Sequence, residues 1–193
     1  RHKSRSINMK KTILLLLTVC CGLALYANDP LLTGTPMGSL SVDYTTNTAS
    51  TTVNQPINAF DGNLETFYAS FERSYTWVGL DLGTPHIITR VRWSPRNNDQ
   101  GPRRVRLGMI EGANRADFLD AVPLHLIDQN GVIGQMHHAN IKVSKGFRYV
   151  RFVGPNDQRC NIAELEFYGH EGEGDESQFY LPGGLPLVVI NTV

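Results

Sequence analysis

Hydrophobic residues along this chain come in short alternating runs, and turn-forming residues separate the runs at roughly ten-residue intervals. Residues 28–56 are rich in Thr, Ser, Gly, Asn and Pro and predict an extended lead-in with one short strand at Leu40–Asp43. T-W-V-G-L-D-L-G, with Trp77, Val78, Leu80 and Leu82, predicts a strand ended by Gly83-Thr84-Pro85, and H-I-I-T-R-V-R-W-S predicts a second. Pro95–Pro102 has no periodicity and is expected to be a polar loop. Further strands are expected at Arg104–Gly112, V-P-L-H-L-I-D, Ile141–Val143 and Phe147–Val153, the last with Phe147, Tyr149 and Val153 on one side. I-A-E-L-E-F-Y-G, with Ile162, Leu165 and Phe167, closes the series. Between them, A-N-R-A-D-F-L-D-A predicts a helical turn or tight loop carrying Phe118 inward, and Gln129–Gln135 and Gly154–Arg159 predict turns. No helical stripe exceeds two turns, so the pattern points to an all-β, antiparallel sandwich or jelly roll of about eight strands.

The two ends depart from this pattern. Residues 1–27 place Met9-Lys10-Lys11 ahead of an apolar run from Ile13 to Leu25 and then Tyr26-Ala27, the order of a secretory signal peptide cut after Ala27, with the residues before Met9 as an upstream extension. The run is shorter than the ~20 residues a membrane span needs. A lipoprotein anchored at Cys20 or Cys21 is the less favoured alternative, because Val19 and Cys20 replace the small residue expected before the cut. The expected localisation is secreted, periplasmic or cell surface. Residues 28–169 form the expected domain, 170–181 an acidic, Gly-containing linker, and 182–193 the first strand of a following domain.

Removing the leader changes the charge. Five of the 18 Lys and Arg lie there and none of the 18 Asp and Glu, which leaves a net charge of −5. A mildly acidic domain does not point to nucleic acid or an anionic membrane as a partner. Cys160 is the one cysteine beyond the leader, which excludes a disulfide scaffold, and it is expected to be a buried small hydrophobe. The chain has no G-x-S-x-G, no Ser-His-Asp grouping and no set of metal-spaced histidines, so no enzyme class is indicated. His137-His138 are neighbours whose side chains diverge on a strand, which disfavours a zinc pair.

Chemistry concentrates in A-F-D-G-N-L-E-T-F-Y, residues 59–68. Asp-Gly-Asn makes a tight turn in which Gly62 tolerates positive φ and the oxygens of Asp61, Asn63 and Thr66 can converge. Oxygen-only convergence suits a hard cation, and an ordinary Asx-turn is the alternative. Glu164 follows a loop at the start of a strand, where a buried carboxylate needs a charge partner.

Taken in order, A-F-D-G-N-L-E-T-F-Y, W-V-G-L-D-L-G, V-R-W-S-P-R, R-V-R-L-G-M-I-E-G-A-N, G-F-R-Y-V-R-F-V-G-P and C-N-I-A-E-L-E-F-Y-G resemble the discoidin, or coagulation-factor type C, domain family, and most of all its bacterial family 32 carbohydrate-binding modules. The resemblance implies an eight-stranded jelly roll with a structural Ca²⁺ near one end. Asp61 and Glu164 would give carboxylates to it, Thr66 its hydroxyl and carbonyl, and Asn58, Asn63 and Ala163 backbone oxygens. It also implies a ligand site on the loops at the cation end. Arg96, with Asn97 and Asn98 beside it, matches the family's arginine loop, and Asp157, Gln158 and Arg159 occupy its last loop, where many relatives display an aromatic instead. Tyr68-Ala69-Ser70 stands where relatives often have Trp-His, so Tyr68 is either the exposed ring or a cap on the core. Arg148 and Arg151 are expected on a salt-bridged outer face, and Trp77 and Trp93 in the core. The implied function is a non-catalytic module that binds a glycan or glycoprotein for an attached domain, without membrane insertion. Protein–protein or cell-surface adhesion through the same loops is the alternative.

Overall fold

The structure, a computed structural model, describes residues 29–177 and the backbone alone of 180–181 and 185–186. The leader and most of 182–193 lie outside the described residues. The strands are β1 (Thr35–Gly38), β2 (Ser41–Asp43), β3 (Thr48–Ser50), β4 (Tyr68–Ala69), β5 (Trp77–Ser94), β6 (Met109–Ala113) and β7 (Val122–Leu126). They continue with β8 (His137–Asn140), β9 (Gly146–Val153), β10 (Asn161–Ile162), β11 (Glu164–Glu171), β12 (Tyr180–Leu181) and β13 (Leu185–Pro186). A 3₁₀ turn covers Pro56–Ala59, and the one α-helix among the described residues, α1, is Gly101–Val105. All named pairings are antiparallel, and the whole is a β-sandwich.

β5 is the spine. Its first part, Trp77–Asp81, pairs with β1 and β9, and β9 carries the order on through β6 to β7. Its second part, His86–Ser94, pairs with β11 on one side and β8 on the other. Across the register shift between Asp81 and His86, β11 takes the place of β1, while β9 stays paired through Ile87 and β8 follows it from Arg90. Gly83-Thr84-Pro85 therefore does not end a strand, as its turn chemistry predicts; Gly83, at φ +82°, takes up an irregularity inside one continuous strand.

Alternation places Val78, Leu80, Ile88, Val91 and Trp93 of β5 in the core against Phe147, Val150 and Phe152 of β9 and Leu165 and Phe167 of β11. Two expectations are corrected here. Tyr149 does not share a face with Phe147; it joins Ala113 and Phe118 in a second, smaller cluster. Trp77 also belongs to that cluster rather than the main core, with its ring 5.1 Å from Phe118. Phe118 turns inward from a loop as expected, at φ +57°. Trp93 is a core residue, flanked by His125 and His137 at 5.4 and 5.9 Å between ring centroids. Cys160 is fully buried, and burial raises its thiol pKa, which keeps it protonated.

The strand expected from Arg104 begins only at Met109. Pro102 sits in the first turn of α1, where a missing N–H costs nothing, and Leu107 at φ +65° breaks the chain before β6. The strand expected at Ile141–Val143 lies just before it, at His137–Asn140, and Thr35–Gly38 and Thr48–Ser50 add strands within the polar lead-in. The acidic stretch expected as linker from 170 is partly fold: β11 runs to Glu171, Glu173 O accepts from Gly146 N at 2.7 Å, and Lys145 pairs with Glu176 at 3.0 Å.

The outer face is laced by ion pairs as expected. Arg148 meets Asp81 at 2.8 Å, Arg151 meets Glu111 at 2.7 Å, and Arg92 meets Glu166 at 2.9 Å. Hydrogen bonding from Arg148 holds the Asp81 carboxyl below its ordinary 3.8. A carboxylate whose pKa is depressed by folding stabilises above its unfolded value, and that contribution is lost as pH falls through the folded one. The fall in melting temperature between about pH 5 and about pH 3 should therefore be shallower in Asp81→Asn than in the parent protein.

Candidate functional site

The loops at one end converge on the Asp-Gly-Asn turn. Gly62 takes φ +75°, and Asp61 Oδ1 accepts from Asn63 N at 2.9 Å, closing an Asx-turn. Thr66 Oγ1 lies 2.9 and 2.8 Å from the two Asp61 oxygens and 2.9 Å from Asn63 O. From the far end of the sequence, Glu164 Oε2 accepts from Gly62 N at 2.8 Å. Glu164 is 3% exposed, and burial, with the negative charges of Asp61 and Glu166 added, pushes its pKa up to about 7. Asn58 bonds its side-chain amide to Phe67 O at 3.2 Å, and Ala163 is buried beside Glu164 with its N–H on Ser94 O at 3.0 Å. Two carboxylates, a hydroxyl and the Asn63 carbonyl are thus brought near one another from residues a hundred positions apart, all of them hard donors.

The arginine loop abuts this turn. Asn97 Nδ2 donates to Glu65 at 3.0 Å, and the Arg96 guanidinium lies 3.5 Å from the centre of the Phe67 ring and 4.8 Å from that of Tyr44. Burial holds Arg96 below its ordinary pKa, and the nearby charge of Arg104 adds to that. Asn98 closes the turn into α1, its side-chain oxygen accepting from Gly101 N at 2.8 Å. Gly101 is required there: a Cβ would collide with the Arg96 carbonyl oxygen.

Beyond Arg96 lies a cleft of ≈ 340 Å³. Arg73, Arg103, Arg104 and Arg159 line it, together with Gln100, Asp157 and Gln158. Tyr44, 40% exposed, stands at its edge, its hydroxyl accepting from Arg104 Nη1 at 3.4 Å and from Asn161 Nδ2 at 3.3 Å. Arg159 donates to the carbonyls of Ser70 and Phe71 and to Asn47 Oδ1, tying three loops together. Asp157 N donates to Ser74 Oγ at 3.0 Å, which fastens the last loop to the one holding Arg73 and Tyr75. Tyr75 is 84% exposed at φ +59°, a backbone conformation that aromatic residues seldom adopt.

The structure thus brings Arg96, Asn97, Gln158 and Arg159 to one end and gives Asn98 a turn-closing role. It removes Tyr68, which is 0% exposed in β4 with its hydroxyl on Ser39 O at 2.9 Å and Trp77 O at 3.1 Å. No sugar can lie on that ring. Sequence reasoning missed Tyr44, Tyr75, Arg73, Arg103 and Arg104. The available signal was an aromatic residue standing alone in a polar, turn-rich segment, as in D-Y-T-T and R-S-Y.

Among curated proteins none matches the chain. Among solved structures, CBM62 from Clostridium thermocellum Xyl5A is 35% identical over 74% of this chain and 98% of its own, with a TM-score of 0.66. A fucolectin from striped bass (Morone saxatilis) serum shares the fold at 19% identity and a TM-score of 0.60, over 72% of this chain and 47% of its own. The F5/8 type C domain of a Bacteroides fragilis protein does so at 15% identity and a TM-score of 0.58, over 76% and 99%. The F5/8 type C domain pattern itself matches residues 42–165, more than half of the chain, and the protein is accordingly a member of the F5/8 type C domain family.

Proposed function

We propose that the loop end of this domain is a non-catalytic glycan-binding site on a secreted or surface-exposed protein, and that it targets an attached domain to its substrate or host surface. The observation that carries this reading is the concave cleft edged by Tyr44 and lined with side chains that donate and accept hydrogen bonds, in a chain 35% identical to a module designated CBM62. Sugars present apolar faces to aromatic rings and hydroxyls to fixed polar groups, and a concave surface suits them better than the flat contact of an adhesion partner. Tyr44 supplies a ring that Arg96, Arg104 and Asn161 hold in place, and Tyr75 a second exposed ring at the rim loop. Gln100, Gln158 and Asn97 offer amides, and the arginines offer forked donors. No step of bond making or breaking is involved; recognition raises the local concentration of whatever is joined to the domain.

The jelly-roll description and a structural Ca²⁺ belong to the same reading. Asp61 and Glu164 would supply carboxylates to the ion, and Thr66, Asn58, Asn63 and Ala163 neutral oxygens. The donor set fits a calcium ion because the buried Glu164 faces the negative charges of Asp61 and Glu166 and is answered by main-chain N–H groups, of Gly62 and Leu165, with no cation beside it among the described residues. When bound, the ion would neutralise this repulsion and fasten the first loop to β11.

Two outcomes are expected. On a glycan array, Tyr44→Ala and Arg96→Ala, each with unchanged near-ultraviolet circular dichroism, should lose binding that the parent protein shows; array signals identical to the parent in both variants would exclude this surface. For the ion, adding Ca²⁺ at a hundredfold excess over its Kd should stabilise the protein by about 2.7 kcal/mol. Asp61→Ala and Glu164→Gln should each abolish the Ca²⁺ dependence of the melting temperature, and a dependence that survives both substitutions would place the ion elsewhere.

A further inference from the structure

Among the described residues four arginines have a carboxylate partner and seven have none; of the seven, Arg90 stacks on Tyr168 and Arg106 donates to the Asp128 carbonyl, and the other five gather around the cleft. Arg92, Arg115, Arg148 and Arg151 each have a carboxylate partner within 2.9 Å. Arg73, Arg103, Arg104 and Arg159, the four that line the cleft, have none among the described residues. The hydrogen bonds they do make go to neutral acceptors. Arg103 donates to Gln100, Arg104 to the Tyr44 hydroxyl, and Arg159 to two main-chain carbonyls and Asn47. Asp157 lines the same cleft but lies within ion-pair distance of none of the four. Arg96 adds a further unpaired guanidinium behind the Tyr44 ring.

Like charges gathered in a concave surface repel one another, and low-dielectric walls focus their field outward. A neutral sugar leaves that repulsion in place. A carboxylate or sulfate group removes it, and the planar fork of each guanidinium matches two oxygens of such a group at once. Arg103 and Arg73 are exposed, so their charges are free to meet a ligand, whereas Arg159 is anchored to the loops around it and gives the cleft its floor.

Resting on the glycan-binding reading above, we infer that the cleft selects acidic saccharides, those carrying carboxylate or sulfate groups, through Arg73, Arg103, Arg104 and Arg159. The overall negative charge of the chain beyond its leader makes this selectivity local to one end of the sandwich, and it guards against indiscriminate binding of polyanions.

Isothermal titration of the purified protein against polygalacturonate, dextran sulfate, neutral galactan and single-stranded DNA tests this directly. The parent protein should bind one or both acidic polysaccharides more tightly than galactan, with affinity falling as salt rises, and the tighter of the two names the anionic group. The double variant Arg73→Glu/Arg103→Glu should lower the ratio of acidic to neutral affinity about tenfold or more. Arg73→Gln/Arg103→Gln, which removes charge without reversing it, should give a smaller fall in the same direction and replaces the first pair if that pair does not fold. Equal affinity for galactan and the acidic polymers, unchanged in the variants, would overturn the acidic selectivity and leave the glycan site standing. DNA bound as tightly as the polysaccharides would overturn it in favour of a general polyanion surface. Binding to no polysaccharide at all would overturn the glycan reading and this inference together.

Discussion

A carboxylate buried at the start of a strand cannot stay charged without an answering group, and Glu164 imposes that constraint on the whole loop end of this domain. Its long-range hydrogen-bonded answer, the Gly62 N–H, comes from a turn a hundred residues earlier, so the requirement reaches across nearly the full length of the fold. Satisfying it fixes Asp61 and Thr66 opposite β11. Phe67 then has a fixed position, Arg96 packs on Phe67, and Tyr44 packs on Arg96. The cleft wall is the last member of that chain. A cleft built this way is positioned by the sandwich even though its lining residues stand on loops and on the short α1.

The strands were legible in the sequence wherever one face is buried and the other wet, because alternation then reports the pleat directly. β9 and β11 are cases of this, apart from the side taken by Tyr149. β5 defeated the same reasoning at Gly83-Thr84-Pro85. Those residues turn the chain in isolation, but here β5 must change one neighbour, from β1 to β11, while keeping β9 through Ile87, and the irregularity that would end a hairpin serves that exchange instead. Around Arg104 the alternation of Val105 and Leu107 imitates a strand. Local chemistry overrides it: Pro102 suits a first helical turn, Gly101 admits the Arg96 carbonyl, and Leu107 adopts a left-handed backbone.

The candidate site was legible in its ingredients more than in its membership. Motif order correctly marked Arg96, Asn97, Gln158 and Arg159 as loop residues of one end. It could not tell which tyrosine is exposed. Tyr68 lies in β4, whose pairing with β10 buries both of its residues, and the phenol finds two main-chain carbonyls inside. Tyr44 follows β2 directly and has no partner strand of its own to cover it. Whether a ring is covered depends on what the rest of the chain lays over it, which is information that no local window contains.

Charge shows the same division between what register determines and what it leaves open. On the sheet, Arg92 stands directly across from Glu166 and Arg151 directly across from Glu111, so strand register alone pairs each cation with an anion. Arg73 stands on a loop and Arg103 and Arg104 on the short α1, where no strand register sets a carboxylate opposite them. The net charge, summed over the chain, mixes these two populations and returns a mildly acidic domain with no hint of an anionic partner. Among the residues that line the cleft, four arginines stand against one carboxylate, Asp157. Net charge pointed away from nucleic acid and anionic membranes, but as a sum it carries no information about how charge is distributed between sheet and loops.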